Sequence, residues 1–145
     1  LVTGKGENIL KIEYNYQNFF VLLVNPLIEI STKRIFEKLT IPIRRDSTIF
    51  NEKFLTNTNI VDFLNSRKND LETPAISECE EIKNILDVLK NETGSLLSRM
   101  SGSGSTCFGL FKNEEDVSNA ERIFRNKFKN FWIKKTKIVN SFDTL

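Results

Sequence analysis

Apolar positions along the chain follow two spacings, two residues and three to four, and the change from one to the other marks out the elements. Strands are predicted at Asn8 to Glu13 and at Asn18 to Val24, the second almost wholly apolar and closed by Asn25 and Pro26. A helix starts at Ser31 or Thr32, either of which could cap it. It carries Ile35, Phe36 and Leu39 on one face and ends at Pro42. Arg44 to Thr58 is polar and nearly aperiodic, which predicts loop; Ile60, Val61, Phe63 and Leu64 then predict a short helix. The residues NDLE from Asn69 have the form of a capping box, an acceptor followed three residues later by Glu72. Ile82, Ile85, Leu86 and Leu89 continue as a helical stripe that Gly94 stops. Strands at Ser95 to Met100 and Thr106 to Phe111 flank a glycine loop. A helix from about Glu114 to Phe128 turns Val117, Ala120, Ile123, Phe124 and Phe128 inward, and Phe131 to Val139 closes the chain as a strand.

From Phe19 the order is strand, helices, strand, strand, helix, strand. Such an order predicts an α+β fold: an antiparallel four-stranded sheet with helices on one face, the split βαβ arrangement of ferredoxin-like domains. At 145 residues, with 39% hydrophobic and 28% charged residues, the chain is expected to fold as a single domain, 1–145, around one core.

Composition then narrows the chemistry. The chain has no histidine, so no His-based triad, imidazole base or His-containing zinc site can operate within it; catalysis would need carboxylates, lysines or hydroxyls. The longest apolar run, Phe19 to Val24, is far short of the ~20 residues of a membrane helix, and nothing near Leu1 resembles an export signal. A soluble, cytoplasmic protein without membrane contact is expected. Cys79 and Cys107 form neither a CxxC pair nor a disulfide framework and read as small apolar residues. The only methionine is Met100 and the chain opens at LVTGKGENIL, so a portion of a longer protein is expected.

Four places could carry chemistry. In RMSGSGSTCFGLF, Arg99 to Phe111, the glycines at Gly102 and Gly104 allow consecutive N–H groups to turn toward an anion, with Ser103, Ser105 and Thr106 adding hydroxyl donors. No lysine follows the second glycine, and Cys107 stands where GxGxxG would place its third. Local pattern alone favours a hairpin turn. Thr32 and Phe36, four apart on a helix, could stack on and hydrogen-bond a base, though a cap and a core aromatic explain them more simply. Asp70 could act as a general base, or serve the cap beside Asn69. Arg122 to Lys137 holds seven Lys or Arg and no acid, interleaved with Phe124, Phe128, Phe131 and Trp132. With net charge only +2, a solvated basic edge fits it better than a nucleic-acid groove, and nucleic acid is an unlikely partner.

The glycine stretch resembles the third motif of the GHMP (galactokinase, homoserine kinase, mevalonate kinase, phosphomevalonate kinase) superfamily. TGKGE at Thr3 to Glu7, VNPLIEISTKRIF at Val24 to Phe36 and NDLETPA at Asn69 to Ala75 agree with it in order and spacing. The resemblance covers essentially the whole chain and implies the C-terminal half of an ATP-dependent small-molecule kinase. It further implies that Gly102, Ser103, Gly104, Ser105 and Thr106 form a loop holding phosphate, and that Thr32 and Phe36 contact the cytidine part of a substrate carrying a cytidine diphosphate group. The substrate-proximal lysine, the aspartate base and the main ATP loop are implied for an N-terminal half that is absent, and Mg²⁺ for the intact enzyme. No catalytic or metal-ligating residue is therefore expected here. Leu27 and Lys33 replace a glycine and a small residue or proline common in the family. The alternative from another class is a nucleic-acid-binding module of the same fold.

Overall fold

A computed structural model describes residues 19–39 and 60–138, and the backbone of two short strands, β1 (Val2–Thr3) and β2 (Asn8–Ile9), paired antiparallel. The predicted loop Arg44 to Thr58, Pro42 and the rest of the strand proposed for Asn8 to Glu13 lie outside the described residues. The other elements are β3 (Phe20–Asn25), α1 (Thr32–Glu37), α2 (Ile60–Asn65), α3 (Glu72–Glu78), α4 (Glu80–Asn91), β4 (Ser95–Met100), β5 (Cys107–Phe111), α5 (Glu114–Lys127) and β6 (Trp132–Lys137).

The four long strands lie in the order β4-β5-β3-β6, every neighbouring pair antiparallel. This is the predicted ferredoxin-like arrangement. Helices carry the chain from β3 to the edge strand β4, a hairpin returns it to β5, and α5 crosses to β6 on the far side of β3. Alternation along the strands sends Leu22, Val24, Met100, Cys107, Phe111 and Ile133 to one face, where Ile35, Ile82, Ile85, Leu89, Val117, Ala120 and Phe124 pack on them. Phe108 and Phe111 fall on opposite faces, as a period of two requires.

Four helices cover that face as expected, and α2 is the exception. Phe19, Leu97 and Leu110 form a second apolar cluster on the opposite face, and Ile60, Val61 and Leu64 of α2 pack against it. A strand as apolar as β3 has hydrophobic side chains on both faces, and the second needs its own cover.

The stretch after Asn69 also differs from the single helix predicted. Cys79, with φ −149° and ψ 98°, is extended and separates α3 from α4. Neither glycine nor proline marks the break. The local signal is Glu80 and Glu81 in the first turn of α4, where carboxylates favour the positive end of the helix dipole.

Candidate functional site

The hairpin joining β4 to β5 is closed by Ser101 N–H donating to the Thr106 carbonyl at 2.9 Å and Gly104 N–H donating to the Ser101 carbonyl at 3.0 Å. Gly102 and Gly104 have φ of +55° and +92°, conformations that other residues adopt only under strain. Glycine at both places is thus a backbone requirement of the turn. The Gly102 and Ser103 N–H groups take no partner among the described residues.

Helix α1 approaches this loop. Ser31, not Thr32, caps it, its Oγ accepting from the Arg34 N–H at 3.4 Å. The Thr32 hydroxyl is thereby left for a contact across 71 positions of sequence: Thr32 Oγ1 lies 2.9 Å from Ser103 Oγ. One hydroxyl proton makes that bond and the other remains to donate elsewhere. Phe36 is 50% exposed and does not enter the core. Ile35 takes the core position, and its neighbour is rotated about 100° around the helix. Thr32 and Phe36 therefore share an exposed face, as their spacing predicts, while the simpler readings of each, cap and core aromatic, are overturned.

The remaining hydroxyls of the loop serve the chain itself. Ser105 is buried and its Oγ donates to the Ile28 carbonyl at 2.9 Å. Thr106 Oγ1 accepts from Asn25 Nδ2 at 2.8 Å, and Asn25 Oδ1 accepts from the Leu27 N–H at 2.6 Å. Leu27 has φ +58° and is exposed.

NDLE does not make the capping box its pattern suggested. Glu72 begins α3 with no side-chain cap, and the Asn69 side chain is turned to the hairpin. Asn69 Nδ2 donates to the Met100 carbonyl at 3.1 Å and to the Gly102 carbonyl at 2.8 Å, while Oδ1 accepts from the Leu71 N–H at 3.1 Å. Glu72 Oε2 accepts from the Met100 N–H at 3.4 Å. Asn25 and Asn69 were missed as site-forming residues because a short polar side chain beside a turn signals the turn, not the distant strand that it reaches. Asp70 is exposed on the wall of an open cavity of about 800 Å³ shared with Lys38, Lys68 and Arg99.

Thiol chemistry is not supported at this site. Burial, followed by the Glu72 carboxylate and Cys79, pushes the Cys107 thiol up to about 12. Burial and then the hydrogen bond to Glu81 raise Cys79 as well. Both are buried free cysteines packed in the core, as expected. Along the basic stretch, Arg125 pairs with Glu121 and donates to the Ile133 carbonyl, and Lys135 pairs with Glu114. Phe124 is buried, and Phe128 and Phe131 stack on each other at 4.7 Å. Only Trp132 of the four aromatics is exposed, so no stacking platform for a nucleic-acid strand forms there. The nucleic-acid alternative has no support.

The fold and these contacts define a class: an α+β domain in which a glycine hairpin is brought against the exposed face of a neighbouring helix. Residues 55–130 match the family described as GHMP kinases C terminal, and the chain belongs to that family. It is 33% identical over 134 residues to the 4-diphosphocytidyl-2-C-methyl-D-erythritol kinase of Bartonella tribocorum, a match covering 92% of this chain and 44% of that protein. Among solved structures, 4-(cytidine 5'-diphospho)-2C-methyl-D-erythritol kinase superposes with TM-score 0.58 at 18% identity over 91% of this chain and 47% of that one. Homoserine kinase from Cytophaga hutchinsonii gives 0.63 at 16% identity, over 91% and 44%. At such identities the superpositions show the fold. The chain spans about half the length of the curated relatives it matches.

Proposed function

We propose that the protein to which this chain belongs is a 4-diphosphocytidyl-2-C-methyl-D-erythritol kinase, acting in the cytoplasm in the methylerythritol phosphate route to isoprenoids, with residues 1–145 as its C-terminal domain. The reaction is transfer of the γ-phosphate of ATP to the 2-hydroxyl of the substrate. The observation that carries the reading is the 2.9 Å contact between Thr32 Oγ1 and Ser103 Oγ, which joins the two segments that the family resemblance assigns to substrate and to phosphate. The identity to a relative bearing that name, over 92% of this chain, supports the choice of substrate.

In this reading Phe36 offers an exposed ring for a pyrimidine to stack on, and Thr32 a hydroxyl for hydrogen bonding on the same helix face. Gly102 and Ser103 offer backbone N–H groups to phosphate oxygens, and a Cβ at Gly102 would meet nothing within 4 Å, so that face of the loop is open to a ligand. Gly104, Ser105 and Thr106 hold the loop's shape, Thr106 keeping a hydroxyl proton to donate. ATP supplies the phosphoryl group, and Mg²⁺ the positive charge that offsets the phosphates. The family resemblance assigns the lysine, the aspartate base and the main ATP loop to an N-terminal half.

The test compares ADP release by the full-length protein and by the 145-residue chain, each with ATP, Mg²⁺ and 4-diphosphocytidyl-2-C-methyl-D-erythritol. Turnover by the full-length protein alone is expected. Steady turnover by the short chain, or none by the full-length protein, would overturn the assignment.

A further inference from the structure

Asn69 occupies an unusual place. Its side chain leaves the helix it precedes and makes two hydrogen bonds to carbonyls on either side of Ser101, those of Met100 at 3.1 Å and Gly102 at 2.8 Å. Its own Oδ1 is held by the Leu71 N–H at 3.1 Å, so the amide is fixed in the orientation that turns Nδ2 to the hairpin. Glu72 adds a bond from its carboxylate to the Met100 N–H at 3.4 Å. Both Asn69 donors thus act on the residues leading into Ser103, whose hydroxyl meets Thr32.

We infer that Asn69 is a positioning residue for the ligand-facing loop. Its amide holds the leading limb of the hairpin, and so sets where the Gly102 and Ser103 N–H groups and the Ser103 hydroxyl stand relative to α1. The inference rests on the reading of this loop given above.

The loop has a second asparagine brace, and the two differ in chemistry. Asn25 donates to a hydroxyl, Thr106 Oγ1, which can reverse the bond and donate instead. Asn69 donates to two carbonyl oxygens, which can only accept. Replacing amide by carboxylate, a change with almost no effect on shape, therefore keeps a hydrogen bond at Asn25, with Thr106 giving its proton to it, and turns the Asn69 brace into a repulsion.

The experiment places Asn69→Asp and Asn25→Asp separately in the full-length protein. It measures kcat and KM with ATP and the cytidine substrate, and amide hydrogen exchange over residues 101–106. Loss of two hydrogen bonds predicts a kcat lower by about 30-fold for Asn69→Asp, which is about 2 kcal/mol at 1.36 kcal/mol per decade. The KM for the cytidine substrate should move by less than about threefold, since Asn69 holds the loop and not α1, and exchange over 101–106 should rise by a factor similar to the loss of kcat. Asn25→Asp, which keeps a hydrogen bond to Thr106, should raise exchange over 101–106 by no more than about threefold. Equal rises in exchange in the two variants, unchanged kcat in Asn69→Asp, or faster exchange in Asn69→Asp without loss of kcat would each overturn the inference. If Asn69→Asp does not fold, Asn69→Ser decides, because its hydroxyl keeps one donor and no charge: an intermediate fall in kcat supports the brace and wild-type kcat overturns it. If the wild-type protein itself shows no turnover, the kinase reading fails, and exchange in the two variants still decides whether Asn69 holds the loop.

Discussion

The two glycines of the hairpin look equivalent in sequence, yet the structure gives them different loads, and the same substitution at each separates these. An alanine Cβ at Gly102 would meet nothing within 4 Å, whereas at Gly104 it would lie 2.8 Å from Ile30 Cδ1, 2.9 Å from Met100 Sδ and 3.3 Å from Ile82 Cδ1. Each alanine must also adopt a positive φ, at a cost of about 1–2 kcal/mol. The smaller freedom of alanine in the unfolded chain returns roughly 0.4–1 kcal/mol of this. Gly102→Ala should therefore lose about 1 kcal/mol. Gly104→Ala adds overpacking against Met100 and Ile82, both fully or almost fully buried, worth about 1–3 kcal/mol, for a total of about 2–4. With a urea m-value of about 2 kcal/mol/M, the midpoint should fall by about 0.5 M for Gly102→Ala and by about 1–2 M for Gly104→Ala. Urea titrations of the 145-residue chain followed by circular dichroism measure both. Equal midpoint shifts, or a larger one at Gly102, would refute the placement of Gly104 against the core.

Leu27 is a non-glycine residue at φ +58° whose side chain is 67% exposed, so Leu27→Gly removes about 1–2 kcal/mol of backbone strain against roughly 0.5–1 of added unfolded-state entropy. A thermal midpoint raised by a few degrees is expected, and a lowered one would count against the strained conformation. Cys107, buried and with its thiol at about 12, should resist iodoacetamide in the native chain near pH 8 and react once urea unfolds it; prompt native labelling would contradict its burial. The hydrogen bond from Lys38, the largest influence on Glu78, holds that carboxyl below its ordinary 4.5. A carboxyl with a lowered folded value stabilises the fold above its unfolded value and loses that contribution as pH falls through the folded one. Lys38→Ala should accordingly flatten the fall of stability below about pH 4.5, and an unchanged acid limb in a denaturation series would remove Glu78 from the account.

Much of the fold was legible because burial enforces period. The four strands and α5 fell within a residue or two of their predicted positions, since the short apolar runs FVLLV and CFGLF are each bounded by polar or turn residues and the 117, 120, 124 spacing leaves one workable helix face. What escaped the sequence were features with no periodic trace. The turn at Cys79 lacks glycine and proline. Ile35 and Phe36 were assigned to one face, but adjacent helical positions are about 100° apart and only Ile35 is buried. Asn69 was read by its nearest neighbours, as a cap, when the two carbonyls that its Nδ2 reaches lie 31 and 33 residues away. The candidate site shows the same division: its glycines announced themselves, whereas the pairing of Thr32 with Ser103 depends on where α1 lands after the chain has crossed the sheet.

Where the exposed apolar residues fall bears on the surroundings of this loop. Asn25 ends β3 and pairs in register with Trp132, which begins β6, and its side chain bonds Thr106 at the close of the glycine hairpin. Leu27 and Ile28 follow directly, and Phe36 lies one helix further along. Of the five large hydrophobic residues exposed among the described residues, Leu27, Ile28, Phe36 and Trp132 all belong to this end of the sheet and its outgoing segment, and only Ile138 lies at the other. Water contact for such side chains is unfavourable by about 25 cal/mol for each Å² of apolar surface, so their gathering beside the loop is a standing force toward whatever covers it. The polar groups open to a ligand, the Thr32 and Ser103 hydroxyls and the Gly102 and Ser103 N–H groups, lie on the same loop and helix. A cover over the apolar residues would exclude water from those groups at the same time, and hydrogen bonds to phosphate are stronger in the lower dielectric that results. In the reading proposed above, a cover that buried these apolar residues would at the same time strengthen the loop's hold on phosphate.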